Sequence, residues 1–168
     1  MNPQVLILMG SDSDWPVMSE VKKALDELGV GCEAHVSSAH RTPERTARLA
    51  REAAGRGIRV VVCGAGAAAH LAGVVAAESE LPVLGVPLAA SDLDGLDALL
   101  ATVQMPGGVP VGTLAIGKAG ARNAGLLAAR ILALSDPALA ARVREARTRM
   151  AGEVEAKDQA LQQKIHGG

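Results

Sequence analysis

Short apolar runs of strand length alternate with helix-like segments five times along this chain, and that alternation restricts the fold more than any other feature. Residues 5–9 read Val-Leu-Ile-Leu-Met and stop at Gly10. Residues 14–28 then carry Val17, Val21, Ala24, Leu25 and Leu28 at helical spacing, ended by Gly29. The same pairing recurs four times: strand 31–36 with helix 43–55, strand 59–63 with helix 68–77, strand 82–86 with helix 93–103, and strand 111–116 with helix 119–134. Apolar strands separated by helices belong to a parallel sheet covered on both faces. The expected fold is α/β, a three-layer, doubly wound parallel sheet of the flavodoxin-like kind.

One catalytic domain is expected over residues 1–168, with a core over 4–134. Asp136-Pro137 opens an extra C-terminal helix, with Pro137 in its first turn. That arm, over 136–164, is densely charged and reads either as a solvated helix or as a segment packed on a neighbouring subunit.

Composition excludes several classes of function. Phe and Tyr are absent and there is one Trp, so the core is built from aliphatic residues and no ring platform exists for stacking bases. A net charge of −1 supplies no basic footprint for nucleic acid. No apolar run reaches bilayer-spanning length, and the N-terminal residues lack a signal-peptide pattern, so no membrane association and a cytoplasmic location are expected. Cys32 and Cys63 fit neither a disulfide framework nor a zinc spacing and read as small buried hydrophobes.

In doubly wound sheets ligands bind beyond the carboxyl ends of the strands, which directs attention to five loops. The first, Gly10-Ser11-Asp12-Ser13-Asp14, has a glycine for a tight turn, hydroxyls that can donate, and Ser13 or Asp14 to cap the next helix. Backbone N–H groups there suit a phosphate, and a carboxylate suits a ribose diol, so at least one of Asp12 and Asp14 must face away from an anion. The second, Ser37 to Glu44, sets His40 and Arg41 before Thr42-Pro43, read as N-cap and first helical residue. His titrates near neutrality and Arg binds phosphate bidentately. The third, Gly64 to Leu71, is made of small residues that let backbone approach a ligand, with His70 expected a few residues into its helix. No partner at metal-ligand spacing accompanies His70, so no metal is expected. Lys118, after the fifth strand, faces an anion or water.

Four segments taken together resemble one family. They are Met9-Gly10-Ser11-Asp12-Ser13-Asp14-Trp15, Ser38-Ala39-His40-Arg41-Thr42-Pro43, Gly64-Ala65-Gly66 with Ala68-Ala69-His70-Leu71, and the stretch from Val103 through Gly120. In this order they resemble the phosphoribosylaminoimidazole carboxylase catalytic-subunit family, mutase branch, over residues 5–134. The resemblance implies interconversion of N5-carboxyaminoimidazole ribonucleotide and 4-carboxy-5-aminoimidazole ribonucleotide in purine biosynthesis, with no cofactor and a homo-octamer. It implies His40 as general acid and base. Ser11, Asp14 and Arg41 would hold the ribose phosphate, with Ser13 in the same loop. Ser38, Ala39, Gly66, His70 and Leu71 would surround the aminoimidazole and its carboxylate.

Two positions depart from the family, which more often has Gly at Ala67 and Pro at Ala72. A methyl group at Ala67 is expected to keep that residue out of positive φ, and Ala72 to leave a looser turn. Two other readings stand beside the mutase. One is direct carboxylation of aminoimidazole ribonucleotide by carbon dioxide, and the other is a non-catalytic flavodoxin-like binding module.

Overall fold

The computed structural model describes residues 2–166. Five strands form one parallel sheet in the order β2-β1-β3-β4-β5. They are β1 (Val5–Met9), β2 (Cys32–Val36), β3 (Val60–Gly66), β4 (Val83–Leu88) and β5 (Gly112–Thr113). The helices are α1 (Trp15–Glu27), α2 (Pro43–Glu52), α3 (Leu71–Glu78), α4 (Leu96–Val103), α5 (Gly117–Ala133) and α6 (Pro137–His166). This is the flavodoxin-like order, and the direction in which successive strands are added to the sheet reverses between β1 and β3.

Side chains alternate across a strand, so each apolar run feeds two cores at once. Val5, Ile7, Met9, Val60 and Val62 face α1 and α5, where they meet Met18, Val21, Leu25, Ala124 and Ala128. Leu6, Leu8, Val61 and Cys63 face α2 and α3, where they meet Ala50, Leu71 and Val75. The alanines of α5 bring that helix close to α1: a Cβ on Gly125 would stand 2.7 Å from the Val21 carbonyl oxygen.

The strand boundaries differ from expectation in an instructive way. β3 runs on through Gly64-Ala65-Gly66 and β4 through Pro87-Leu88, because their ladder continues to the pair Gly66–Leu88. β5, expected over 111–116, has two residues. Leu114 donates to the Gly85 carbonyl, so Gly85 faces β5, and by alternation Pro87 faces the same way. Proline has no N–H to give, and the edge ladder stops there. α4 starts three residues later than expected because Asp94 and Gly95 take left-handed backbone at φ 50° and 86°.

α6 opens as expected, with the Asp136 carboxylate accepting from the Leu139 N–H at 2.9 Å. Leu139 is its one buried residue, and every described residue from Arg147 onward is exposed. Arg142 fastens the base of the arm through Nε to the Leu28 carbonyl at 2.8 Å.

Candidate active site

A crevice of about 340 Å³ opens beyond the carboxyl ends of β1, β2 and β3. Its walls include Ser11, Ser13, Asp14, Ser38, Ala39, His40, Arg41, Gly66 and Leu71. These are all the expected site residues except His70. The sheet order explains the gathering. β1 lies between β2 and β3, so the loops after all three strands end side by side.

The β1–α1 loop is a 3₁₀ turn capped by Ser11, and Asp14 stands at the N-cap position of α1, as expected, without a side-chain cap bond there. Ser11 Oγ accepts from the Ser13 N–H at 3.2 Å, and Asp14 Oδ2 accepts from the Ser11 N–H at 3.0 Å, a reciprocal capping box. Asp14 therefore turns one oxygen onto its own loop. Burial pushes its carboxyl above the ordinary range, opposed by the Ser11 and Gly10 N–H groups and reinforced by Asp12. Asp12 Oδ1 accepts from the Ser13 N–H at 3.0 Å and from the Ser11 hydroxyl at 3.2 Å, so both carboxylates are engaged within the loop.

The β2–α2 turn is tied by hydroxyls. Thr42 stands at the N-cap position of α2 but makes no side-chain cap. Its Oγ1 instead accepts from the Ser38 N–H at 3.0 Å and donates to the Ser38 carbonyl at 2.9 Å. Ser38 Oγ accepts from the Arg41 N–H at 3.2 Å. Beneath them, buried Ser37 and Thr46 share a hydrogen bond of 2.8 Å. Thr46 donates to the Thr42 carbonyl, which makes Ser37 the donor to Thr46.

The β3–α3 turn is held by backbone alone. Ala67 takes φ 50°, contrary to the expectation that its methyl group would forbid it. For a non-glycine residue this conformation costs about 1 kcal/mol. Two tight turns follow, with the Ala69 N–H on the Ala67 carbonyl and the His70 N–H on the Ala68 carbonyl, both at 2.8 Å. Ala72 lies buried in the first turn of α3, not in the loop, so its effect is on packing.

His70 precedes α3 instead of lying within it and is absent from the crevice wall. It reaches the site through His40. His40 Nε2 and His70 Nδ1 are 2.9 Å apart, with the rings edge to face at 88°. One nitrogen donates and the other accepts, so His70 fixes the orientation of the His40 ring. His40 Nδ1 has no protein partner among the described residues, and His40 is exposed to the crevice. A ring held at one nitrogen and free at the other is suited to moving a proton to and from a bound molecule.

Of the other wall residues, Gly10, Ala65, Ala67 and Ala68 lie in the loops read as letting backbone approach a ligand, whereas Ala90 carries no chemical signal in the sequence. Ala90, from the β4–α4 loop, packs so close to Gly66 that a Cβ there would collide with it. Small residues at two adjoining strand ends are the available clue. Lys118 is exposed and lies outside the crevice. Cys63 is fully buried, and burial drives its thiol far above the ordinary range, so it is no nucleophile. No three metal-ligating side chains come together among the described residues.

Fold and site define a flavodoxin-like α/β enzyme with a histidine pair beside a crevice lined by serines, an aspartate and an arginine. The AIR carboxylase family matches residues 4–153, and the chain belongs to it. The match runs past residue 134 into α6, further than the resemblance in sequence motifs reached. An N5-carboxyaminoimidazole ribonucleotide mutase of Mycobacterium tuberculosis is 55% identical over 160 residues, covering 95% of this chain and 91% of the relative. A mutase of the same name from Thermotoga maritima is 52% identical over 161 residues, covering 96% and 93%. The crystal structure of Treponema denticola PurE superposes with a TM-score of 0.85 at 28% identity, covering 95% of this chain and 98% of that one.

Proposed function

We propose that this chain interconverts N5-carboxyaminoimidazole ribonucleotide and 4-carboxy-5-aminoimidazole ribonucleotide in purine biosynthesis, with His40 as the proton carrier. The observation that carries the reading is the position of His40: it stands at the crevice wall, held by His70, beside the hydroxyls and the arginine that a sugar phosphate needs. Similarity to mutases over nearly the whole chain supports the same reaction.

The chemistry balances without an outside reagent. The bond from the exocyclic nitrogen to its carboxyl carbon breaks, carbon dioxide leaves, and the nitrogen takes a proton from His40. Ring carbon 4 then bonds to the carbon dioxide and gives its own proton back to His40. Positioned proton transfer contributes about 10²–10⁴-fold. Retaining carbon dioxide against the backbone of residues 65–68 keeps the second step effectively intramolecular. Ser11, Asp14 and Arg41 hold the ribose phosphate, with Ser13 completing the loop. Ser38, Ala39, Gly66 and Leu71 enclose the ring, and His70 acts through His40.

The protein acts as an octamer in this reading. Leu96, Leu100 and Val103 on α4, with Leu93 in the turn before it, are exposed apolar residues, and in the same helix Asp97 Oδ1 is buried with no partner among the described residues. Met150, Val154, Leu161 and Ile165 are exposed on α6 within an arc of about 60°. Neighbouring subunits would cover both. We assign the enzyme to the cytoplasm, because a phosphorylated substrate does not cross a bilayer unaided and both cysteines are free thiols.

Product analysis tests the reaction. Purified protein is expected to convert N5-carboxyaminoimidazole ribonucleotide with no added bicarbonate. Product formed only from aminoimidazole ribonucleotide plus bicarbonate overturns the mutase reading in favour of direct carboxylation.

A further inference from the structure

Next to the crevice, and sharing Gly10, Ser11, Ser38 and Arg41 with it, lies an open groove of about 450 Å³. Its remaining walls include Asp12 and a second arginine, Arg45, in the first turn of α2. Arg45 makes no ion pair and no side-chain hydrogen bond among the described residues. Arg48 is likewise unpaired among the described residues, whereas the next two arginines along the chain are engaged. Arg51 pairs with Glu78 at 2.6 Å, and Arg56 pairs with Glu33 at 2.8 Å. Asp12, the acid in the groove, has its Oδ1 engaged by Ser11 and Ser13. Glu44, beside Arg45 in sequence, is exposed and outside the groove.

The substrate's shape determines which end meets this groove. Its ring must lie against His40, where the proton moves, so the phosphate points away along the crevice. Of the four residues that line both spaces, Arg41 is the one that carries a charge. A phosphate monoester carries nearly two charges at neutral pH and three acceptor oxygens, more than one guanidinium fork satisfies. We propose that Arg45 is a second cation for the substrate's phosphate, so that the groove holds the phosphoryl group between Arg41 and Arg45 while the crevice holds the ring. This inference rests on the function proposed above.

Steady-state kinetics on the full-length protein test it, with Arg45→Ala, Arg45→Lys, Arg45→Glu and Arg41→Ala made side by side. Arg45→Ala is expected to raise KM about five- to tenfold with kcat within about twofold, a KM-against-kcat split that marks lost binding shared by ground and transition states. Arg45→Lys should recover most of the loss, and Arg45→Glu should deepen it. Inhibition by inorganic phosphate should weaken in parallel, and KM of Arg45→Ala should depend less steeply on salt. An unchanged KM and unchanged phosphate inhibition in Arg45→Ala and Arg45→Glu, while Arg41→Ala is weakened, overturns the role of Arg45 alone. A fall in kcat at constant KM also overturns it. If the unsubstituted protein does not convert the substrate, or Arg41→Ala is silent too, the functional reading itself fails and this inference with it.

Discussion

The two turns that carry the paired histidines are built in opposite ways. The β2–α2 turn, which carries His40 and Arg41, is stitched by the hydroxyls of Ser38 and Thr42 over a buried Ser37–Thr46 pair. The β3–α3 turn, which carries His70, has no side-chain hydrogen bond of its own and folds through left-handed Ala67 and two tight backbone turns. The difference follows from what each must offer. The first presents the polar side chains of His40 and Arg41 and needs them held in direction. The second lines the crevice with Gly66, Ala67 and Ala68, and any larger side chain there would fill the space. The rings of His40 and His70 join the two turns across the mouth of the site.

Three substitutions probe that contrast, beginning with the bridge. His70→Asn should lower kcat by about ten- to fiftyfold with little change in KM, since His70 orients His40 without touching the crevice. A rise in KM at constant kcat, measured in the same assay, would instead put His70 against the substrate. Thr42→Val removes both hydroxyl bonds to Ser38 and should cost about 1 kcal/mol in urea unfolding. Unchanged stability would mean that water replaces the hydroxyl fully and that the stitching is incidental. Ala67→Gly should raise stability by about 0.5 kcal/mol, because relief of the left-handed strain exceeds the added freedom of the unfolded chain. A loss of stability there would mean that the Ala67 methyl group contributes packing that outweighs its backbone cost.

The same contrast explains what was legible in the sequence. Val5 to Met9 and the helical spacing after it announce a strand and a helix, because side-chain burial is written in residue type. The true length of β3 is not announced, because Gly64, Ala65 and Gly66 continue a ladder made by backbone. The shortness of β5 depends on Pro87, a residue of another strand. In the site, the hydroxyls of Ser11 and Ser13, His40 and Arg41 could be picked out by chemistry and by the rule that ligands sit at strand ends, while the choice of Asp14 and Ser38 came from the resemblance to the family. Ala90 could not, since a small wall residue differs little from a small core residue. Nor could the partnership of His40 with His70, thirty positions apart, which exists because β1 separates the strands that lead into their turns. The φ of Ala67 ran against the expectation from its side chain, as strained positions at ligand sites do.

The central claim is that His40 carries the proton for both halves of the rearrangement. His40→Asn, studied under single-turnover conditions together with direct measurement of substrate affinity on the same preparation, tests it most directly. The account predicts substrate affinity within about threefold of the unsubstituted protein and a rate of product formation lower by at least about 10²-fold. Product formation within tenfold of the unsubstituted rate would contradict it and move the acid–base role to another group in the crevice.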